Sequence, residues 1–183
     1  MTHHAGNQLV DPHLIFDKIP LETSMHIADF GSGRTGHIVF PAAQRVGERG
    51  VIYAVDILKE ALESIRKRAQ MEGFVNIHEV WADIEREHSV SVPTHTIDVV
   101  FAVNVMFHVK DYKQTLHEAL RLLKEKGRFV VVDWMRKLGP IGPDTDAILD
   151  FDTLKKQARE LGFVVQNDFT VGPCHRCMIF YQH

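Results

Sequence analysis

Short apolar runs alternate with amphipathic segments along most of the chain, and this alternation limits the folds that it can adopt. Five runs have the length and composition of strands, at 25–30, 51–56, 76–82, 97–104 and 127–134. Helical patterns fall between them, at 36–47, 58–73 and 112–127. Strands that alternate with helices form βαβ units, in which the strands are parallel. The sequence therefore predicts an α/β fold with a doubly wound, mainly parallel sheet.

The C-terminal part predicts a different connection between strands. Residues 150–162 have the pattern of a helix, with Asp152 as its expected N-terminal cap. Two extended runs follow, at 163–171 and 177–183, with a Gly-Pro pair between them. This link is too short for a parallel crossover, so we expect an antiparallel hairpin at the edge of the sheet.

Length and composition are those of one globular domain. The chain has 183 residues, 45% of them hydrophobic and 25% charged, and domains commonly contain about 100–200 residues. We expect a single domain over residues 1–183, with a lid-like N-terminal segment at 1–24 and a Rossmann-like core at 25–183. The net charge of -3 disfavours a nucleic-acid partner, because phosphate binding needs clustered Lys and Arg.

The sequence also bears on location and on metals. It shows neither a secretory signal nor a run of about 18 apolar residues, so we expect a cytoplasmic protein without a membrane span. Its only two cysteines, Cys174 and Cys177, are too few for a disulfide framework. A structural zinc site normally needs four ligands, and we predict no metal site.

A glycine-rich turn follows the first predicted strand. Gly31, Gly33 and Gly36 match the G-x-G-x-x-G spacing of a dinucleotide-binding turn. Glycine suits such a turn because a ligand can approach the backbone closely there. Asp29, however, stands two residues before the first glycine. A carboxylate there would repel a diphosphate but would suit a ligand with an ammonium and a sulfonium charge, so the charge favours S-adenosylmethionine.

Polar residues end the next three predicted strands. Asp56 ends the second strand, 20 residues after Gly36, where an acid can accept hydrogen bonds from both ribose hydroxyls. Asp83 follows the third strand and Asn104 ends the fourth. Ligands bind at the carboxyl ends of strands in open α/β sheets. The coincidence of these residues at one edge predicts a nucleoside site there.

The ordered series "ADFGSGRTG", "VIYAVDI", "WADIE", "IDVVFAVNVMFHVKD" and "LLKEKGRFVVVDW" resembles the class I S-adenosylmethionine-dependent methyltransferases. It is most similar to the small enzymes related to the ubiquinone and menaquinone biosynthesis methyltransferases. The resemblance implies a seven-stranded sheet with a reversed final strand. It also implies a set of cofactor-binding residues: Asp29, Gly31, Ser32 and Gly33 at the methionine part, Asp56 at the ribose, Ile57, Asp83 and Ile84 at the adenine, and Asn104 at the floor.

The glycine turn departs from the family at one point. The family usually has its third glycine two residues after the second, whereas Arg34 and Thr35 precede Gly36 here. The path of the turn and the role of Arg34 are therefore open.

Methyl transfer from a sulfonium is an in-line displacement that needs close alignment and exclusion of water more than it needs a base. His108 is the first candidate for a general base, and a structural histidine at a helix start is the alternative. His37 is a further candidate, with a structural role favoured. The resemblance implies that His175, just before the last strand, contacts either the substrate or only the hairpin. We expect a small-molecule acceptor and allow for a homodimer. Phe107, Trp134, Met106 and Met135 are candidates for an apolar acceptor pocket.

Two other functions stay open from the residues alone. One is an NAD(P)-dependent oxidoreductase that uses the literal glycine spacing. The other is a non-catalytic S-adenosylmethionine-binding module that has lost its acceptor site.

Overall fold

A single seven-stranded sheet forms the centre of the protein in a computed structural model that describes residues 9–182. Its strands are β1 (His26–Phe30), β2 (Val51–Asp56), β3 (Ile77–Trp81), β4 (Ile97–Val103), β5 (Leu123–Trp134), β6 (Phe163–Val171) and β7 (His175–Gln182). The order across the sheet is β3-β2-β1-β4-β5-β7-β6. Strands β1 to β5 pair in parallel, and β7 pairs antiparallel with both β5 and β6. The predicted fold class and the terminal hairpin are confirmed.

Helices cover both faces of the sheet. They are α1 (Pro12–Phe16), α2 (Val39–Val46), α3 (Lys59–Glu72), α4 (Tyr112–Leu122) and α5 (Phe151–Glu160). The first three pack into one apolar cluster and the last two into another, on the opposite face. Strands covered on both faces are apolar nearly throughout, which is why the β1, β2, β4 and β5 sequences show little alternation.

Two local predictions were wrong. The helix expected at 112–127 ends at Leu122, and β5 begins at Leu123 because the next residues pair with β4. There the Lys124 ammonium binds the Asp98 carboxylate, at 2.8 and 2.9 Å. Asp150, not Asp152, caps α5: its Oδ1 accepts the backbone N–H of Asp152 and of Thr153, at 3.1 and 3.0 Å.

The N-terminal segment packs against the core over its described part. Residues 1–8 of the expected lid-like segment lie outside the described residues. Within 9–24, the side chains of Val10, Ile15 and Phe16 are buried, and the Phe16 ring lies 5.6 Å from that of Phe101 on β4. No helix in the part of the chain that the structure describes is long and apolar enough to cross a membrane.

Candidate active site

A cavity of about 410 Å³ opens at the carboxyl ends of the parallel strands. Its volume is in the lower part of the range of small-ligand sites, about 300–1,000 Å³. Eight of the ten residues predicted for the site line it: Gly31, Gly33, Asp56, Ile57, Asp83, Ile84, Asn104 and His108. Asp29 and Ser32 do not line it. The sheet topology therefore brings together residues that are far apart in the sequence.

The glycine turn is tied to the neighbouring strand by backbone hydrogen bonds. The N–H groups of Gly31 and Ser32 both donate to the Val55 carbonyl on β2, at 2.8 and 3.0 Å. Gly31 has a φ of +68°, and a Cβ at this position would overlap the side chain of Val105 beyond β4. Glycine at 31 thus serves a close contact within the protein, between the turn and the loop after β4.

Asp56 holds the other end of the turn. Its Oδ2 accepts the Gly33 N–H at 2.8 Å, and its Oδ1 accepts the Leu58 N–H at 2.9 Å. An ionised carboxylate has about four lone-pair sites, and these two bonds use half of them. Asp56 therefore combines a structural role with remaining acceptor capacity at the cavity wall.

The extra residue of the turn is accommodated away from the cavity. Gly36 does not line it, and a Cβ there would lie 2.6 Å from the Phe40 ring on α2. The Arg68 side chain donates to the Thr35 carbonyl at 3.0 Å and lies 3.9 Å over the Phe40 ring. The third glycine of the literal dinucleotide motif thus packs against α2.

Asp29 and Ser32 are buried residues of the same segment that do not line the cavity. Desolvation together with the nearby Asp56 carboxylate raises the pKa of Asp29 well above the ordinary value. The Ser32 hydroxyl is buried and makes no hydrogen bond to another described residue. Ser32 is thus an unsatisfied buried polar group between the two cavity-lining glycines.

Residues after β2 and β3 form the next part of the cavity. Ile57 is 58% exposed, and its carbonyl accepts the Trp81 indole N–H at 2.9 Å. Asp83 accepts the Glu85 N–H at 3.0 Å through Oδ1. Ile84 is buried beside them. An apolar surface with a carboxylate at its edge is suited to a nucleobase.

A turn after β4 forms the opposite wall. Asn104 has a φ of +54°, and its N–H donates to the Val132 carbonyl on β5 at 2.8 Å. A 3₁₀ turn follows at Met106–His108. Phe107 and His108 line the cavity with their rings 3.8 Å apart, whereas Met106 is fully buried in the core.

Trp134 at the end of β5 continues this wall. Its indole lies 4.3 Å from the His175 ring on β7. His175 is fully buried and neither ring nitrogen has a hydrogen-bond partner among the described residues, so burial lowers its pKa to about 4. Met135 packs against the core and does not line the cavity. Of the four apolar candidates, the structure thus places Phe107 and Trp134 at the wall.

Asp133 is a residue that the sequence reasoning missed. It is fully buried on β5, and its carboxylate accepts the N–H of Trp134 at 2.8 Å and of Phe107 at 3.1 Å. Burial raises its pKa to about 7, against the lowering effect of hydrogen bonds from Trp134, Phe107 and Met106. Its signal in the sequence is an acid that interrupts the apolar run "FVVV" before Trp134.

Residues 138–143 border the cavity beyond β5. The N–H groups of Leu138 and Ile141 each donate to the other's carbonyl, at 3.0 and 2.9 Å. Pro140, Gly142 and Pro143 line the cavity. Glu85 also lines it, and its Oε2 accepts the backbone N–H of Lys110 at 2.8 Å and of Asp111 at 3.2 Å. Sequence reasoning missed Glu85, whose role depends on the distant turn at 110–111.

The remaining candidate residues lie elsewhere. The His37 ring is within 2.7 Å of the Val10 carbonyl, which supports a structural role. Cys174 and Cys177 are buried. Among residues 9–182, no group of three or more His, Cys, Asp or Glu side chains is placed to hold a metal ion.

Comparison with known proteins identifies the family. The model of the methyltransferase domain matches residues 21–169, which is most of the chain. The chain belongs to this methyltransferase family. The resemblance seen in the sequence is thereby confirmed. The matched range contains the ten predicted residues compared with the cavity above.

The methyltransferase is similar to two curated bacterial enzymes. It is 27% identical over 145 residues to a ubiquinone/menaquinone biosynthesis C-methyltransferase of Idiomarina loihiensis, covering 79% of this chain and 55% of that protein. It is 30% identical over 106 residues to aklanonic acid methyltransferase of Streptomyces sp. strain C5, covering 58% of this chain and 46% of that protein. The chain thus spans about half the length of these relatives.

The fold of the methyltransferase is shared with solved structures. A SAM-dependent methyltransferase from Aquifex aeolicus superposes with a TM-score of 0.87 at 19% identity. The superposition covers 98% of this chain and 94% of that one. A similar fold therefore occurs in another chain of almost the same extent.

Proposed function

We propose that the protein transfers a methyl group from S-adenosylmethionine to a small-molecule acceptor. The observation that carries this proposal is the glycine turn, which is bonded to Asp56 and opens onto one cavity together with Asp83 and Asn104. Family membership supports the same reaction. When bound, S-adenosylmethionine supplies an electrophilic methyl group.

The residues at the cavity fit this cofactor. We propose that Gly31 and Gly33 at the cavity, together with the neighbouring buried residues Asp29 and Ser32, hold its methionine part. Asp56 retains acceptor capacity for ribose hydroxyls. Ile57, Asp83 and Ile84 would hold the adenine, and Asn104 would form the floor near the methionine part.

The acceptor would lie against the wall formed by Phe107 and Trp134. These residues hold it in line with the methyl group and keep water away, which is the main requirement of the displacement. His108 is the proposed general base because it lines the same wall. The pH–rate profile of His108→Gln with an acceptor found by screening tests this role, and an unchanged profile would exclude it.

The dinucleotide alternative loses support from the position of Gly36, which packs on Phe40 away from the cavity. Calorimetric titration with S-adenosylmethionine, S-adenosylhomocysteine and NAD(H) distinguishes the alternatives. We expect micromolar binding of the two adenosyl compounds. Binding of NAD(H) alone would overturn the proposal.

A screen over quinols, thiols, amines and carboxylates, with S-adenosylhomocysteine as the measured product, tests catalysis. Binding of the cofactor with no turnover by any acceptor class would favour the non-catalytic binding module.

A cytoplasmic location and a homodimeric state also stay proposals. Cell fractionation tests the location, and light scattering of the purified protein tests the oligomeric state.

A further inference from the structure

The charged groups around the cavity all have the same sign. Among the described residues that line it, the formally charged side chains are those of Asp56, Asp83 and Glu85, and there is no Lys or Arg. His108 is the only other titratable side chain in this set. A fourth acidic group, that of Asp133, lies directly behind the Phe107 backbone and, with a pKa of about 7, is partly protonated near neutral pH.

Three basic side chains that are close to cavity residues in the sequence have partners within the chain. The Arg86 guanidinium lies 3.6 Å from the Asp83 carboxylate. Arg136 donates to the Pro173 carbonyl, at 3.0 and 2.6 Å. The Lys137 ammonium binds Asp144 at 3.0 Å. None of these three residues lines the cavity.

The wall on the acceptor side is apolar and closely packed. It consists of Phe107, Val109, Trp134, Pro140 and Pro143, which we call the acceptor wall. The Gly142 backbone packs closely on the indole of this wall, since a Cβ at 142 would lie 3.0 Å from the Trp134 ring. Trp134 is 3% exposed, so only a small part of its side chain reaches the cavity surface.

A carboxylate or phosphate on an acceptor would lose its hydration at this wall. The described lining residues include no Lys or Arg side chain that would replace that hydration. The carboxylates that line the cavity would also repel the anionic group of the acceptor. An uncharged apolar molecule loses little hydration there and gains contact with the aromatic rings.

We propose that the methyl acceptor is a small, uncharged apolar molecule and that the cavity discriminates against acceptors that carry a carboxylate or phosphate. This inference rests on the proposed function, because it assigns the acceptor wall to the methyl acceptor.

Matched probe pairs test the inference on the protein saturated with S-adenosylhomocysteine. The pairs are phenol and 4-hydroxybenzoate, and aniline and 4-aminobenzoate. Affinity is measured by calorimetric titration, and turnover with S-adenosylmethionine by formation of S-adenosylhomocysteine. We expect the uncharged member of each pair to bind at least about tenfold more tightly, which is the effect of one poorly matched charge.

A pair of variants adds a charge at constant side-chain length. Val109→Lys places an ammonium at the acceptor wall, and Val109→Met supplies a side chain of similar length without charge. We expect Val109→Lys to remove or reverse the preference for uncharged probes. Val109→Met should retain it. Circular dichroism of both variants checks that they fold.

The outcomes separate this inference from the proposed function. Failure of both S-adenosylmethionine and S-adenosylhomocysteine to bind overturns the proposed function itself, and the inference with it. With the cofactor bound, equal or tighter binding of the carboxylate probes overturns only the inference. Absence of binding by every probe also overturns it, since an apolar acceptor wall should take up at least one of the uncharged rings.

Discussion

The two sides of the cavity are built differently. On the side of β1, β2 and β3, hydrogen bonds from backbone N–H groups to a carboxylate shape the wall, as in the bonds from Gly33 and Leu58 to Asp56. On the side of β4 and β5, aromatic rings form the wall, and buried groups behind them hold it. Asp133 and His175 are both fully buried there.

This difference separates a wall shaped by hydrogen bonds from a wall of packed rings. The side of β1 to β3 consists of residues just beyond strand ends, each recognisable by its own sequence motif. Both walls depend on contacts between distant residues: Gly33 and Asp56 are 23 residues apart, and Phe107 and Asp133 are 26 residues apart. A change on the side of β1 to β3 should therefore act on cofactor binding. A change to the buried residues behind the wall of β4 and β5 should act on stability and on acceptor binding.

The largest expected effect concerns the pH dependence of stability through Asp133. Its folded pKa of about 7 exceeds the unfolded value near 3.9, so deprotonation costs the folded state free energy. The contribution of Asp133 to the free energy of unfolding is complete below about pH 4. It is lost as the pH rises to about 7, a change of about 4 kcal/mol. Asp133→Asn should lack this component of the pH dependence.

Urea unfolding of wild type and Asp133→Asn between pH 4 and pH 8 measures the difference. His175 changes stability in the opposite sense, because its pKa of about 4 lies below the unfolded value. His175 is present in both proteins, so its effect cancels when the unfolding free energy of one is subtracted from that of the other at each pH. Parallel curves would show that Asp133 is not the buried acid described above.

A second prediction tests the contact that joins the two sides. Gly31→Ala should destabilise the protein by about 3 kcal/mol, because the new Cβ overlaps Val105 and the backbone is left-handed. Gly33→Ala is the matched control. Its φ of +61° is similar, but no atom lies within 4 Å of the added Cβ, so we expect a loss of about 1 kcal/mol. Equal losses in chemical denaturation would mean that the Val105 contact does not constrain the turn.

The smallest expected effect isolates cofactor affinity. Asp56→Ala should weaken binding of S-adenosylmethionine by about 1 to 3 kcal/mol, because it removes acceptors from both the turn and the ligand. Glu160→Gln, at the C-terminal end of α5 where Glu160 pairs with Lys113, is the control and should bind the cofactor as wild type does. Calorimetric titration of both variants makes the comparison. If Asp56→Ala binds S-adenosylmethionine with wild-type affinity, Asp56 does not bind the ribose as proposed.

Much of the fold could be predicted because it follows from local patterns. The apolar runs of β1, β2, β4 and β5 fix strands that are covered on both faces, and the short Gly-Pro link fixes the antiparallel β6–β7 pair. The end of α4 could not be predicted. The segment after Leu122 consists of the helix-forming residues Leu, Lys and Glu, and its pairing with Ile97 and the Lys124–Asp98 ion pair override that preference.

The same division applies to the candidate site. The sequence alone determined the glycine turn and the positions of Asp56, Asp83 and Asn104, because residues just beyond parallel strands must meet at one edge of the sheet. Only the tertiary structure decided that Gly36 packs against Phe40, that Gly31 meets Val105 and that Asp133 supports Phe107. The physical reason is that close packing and burial depend on neighbours from distant parts of the chain, which residue type and spacing do not specify.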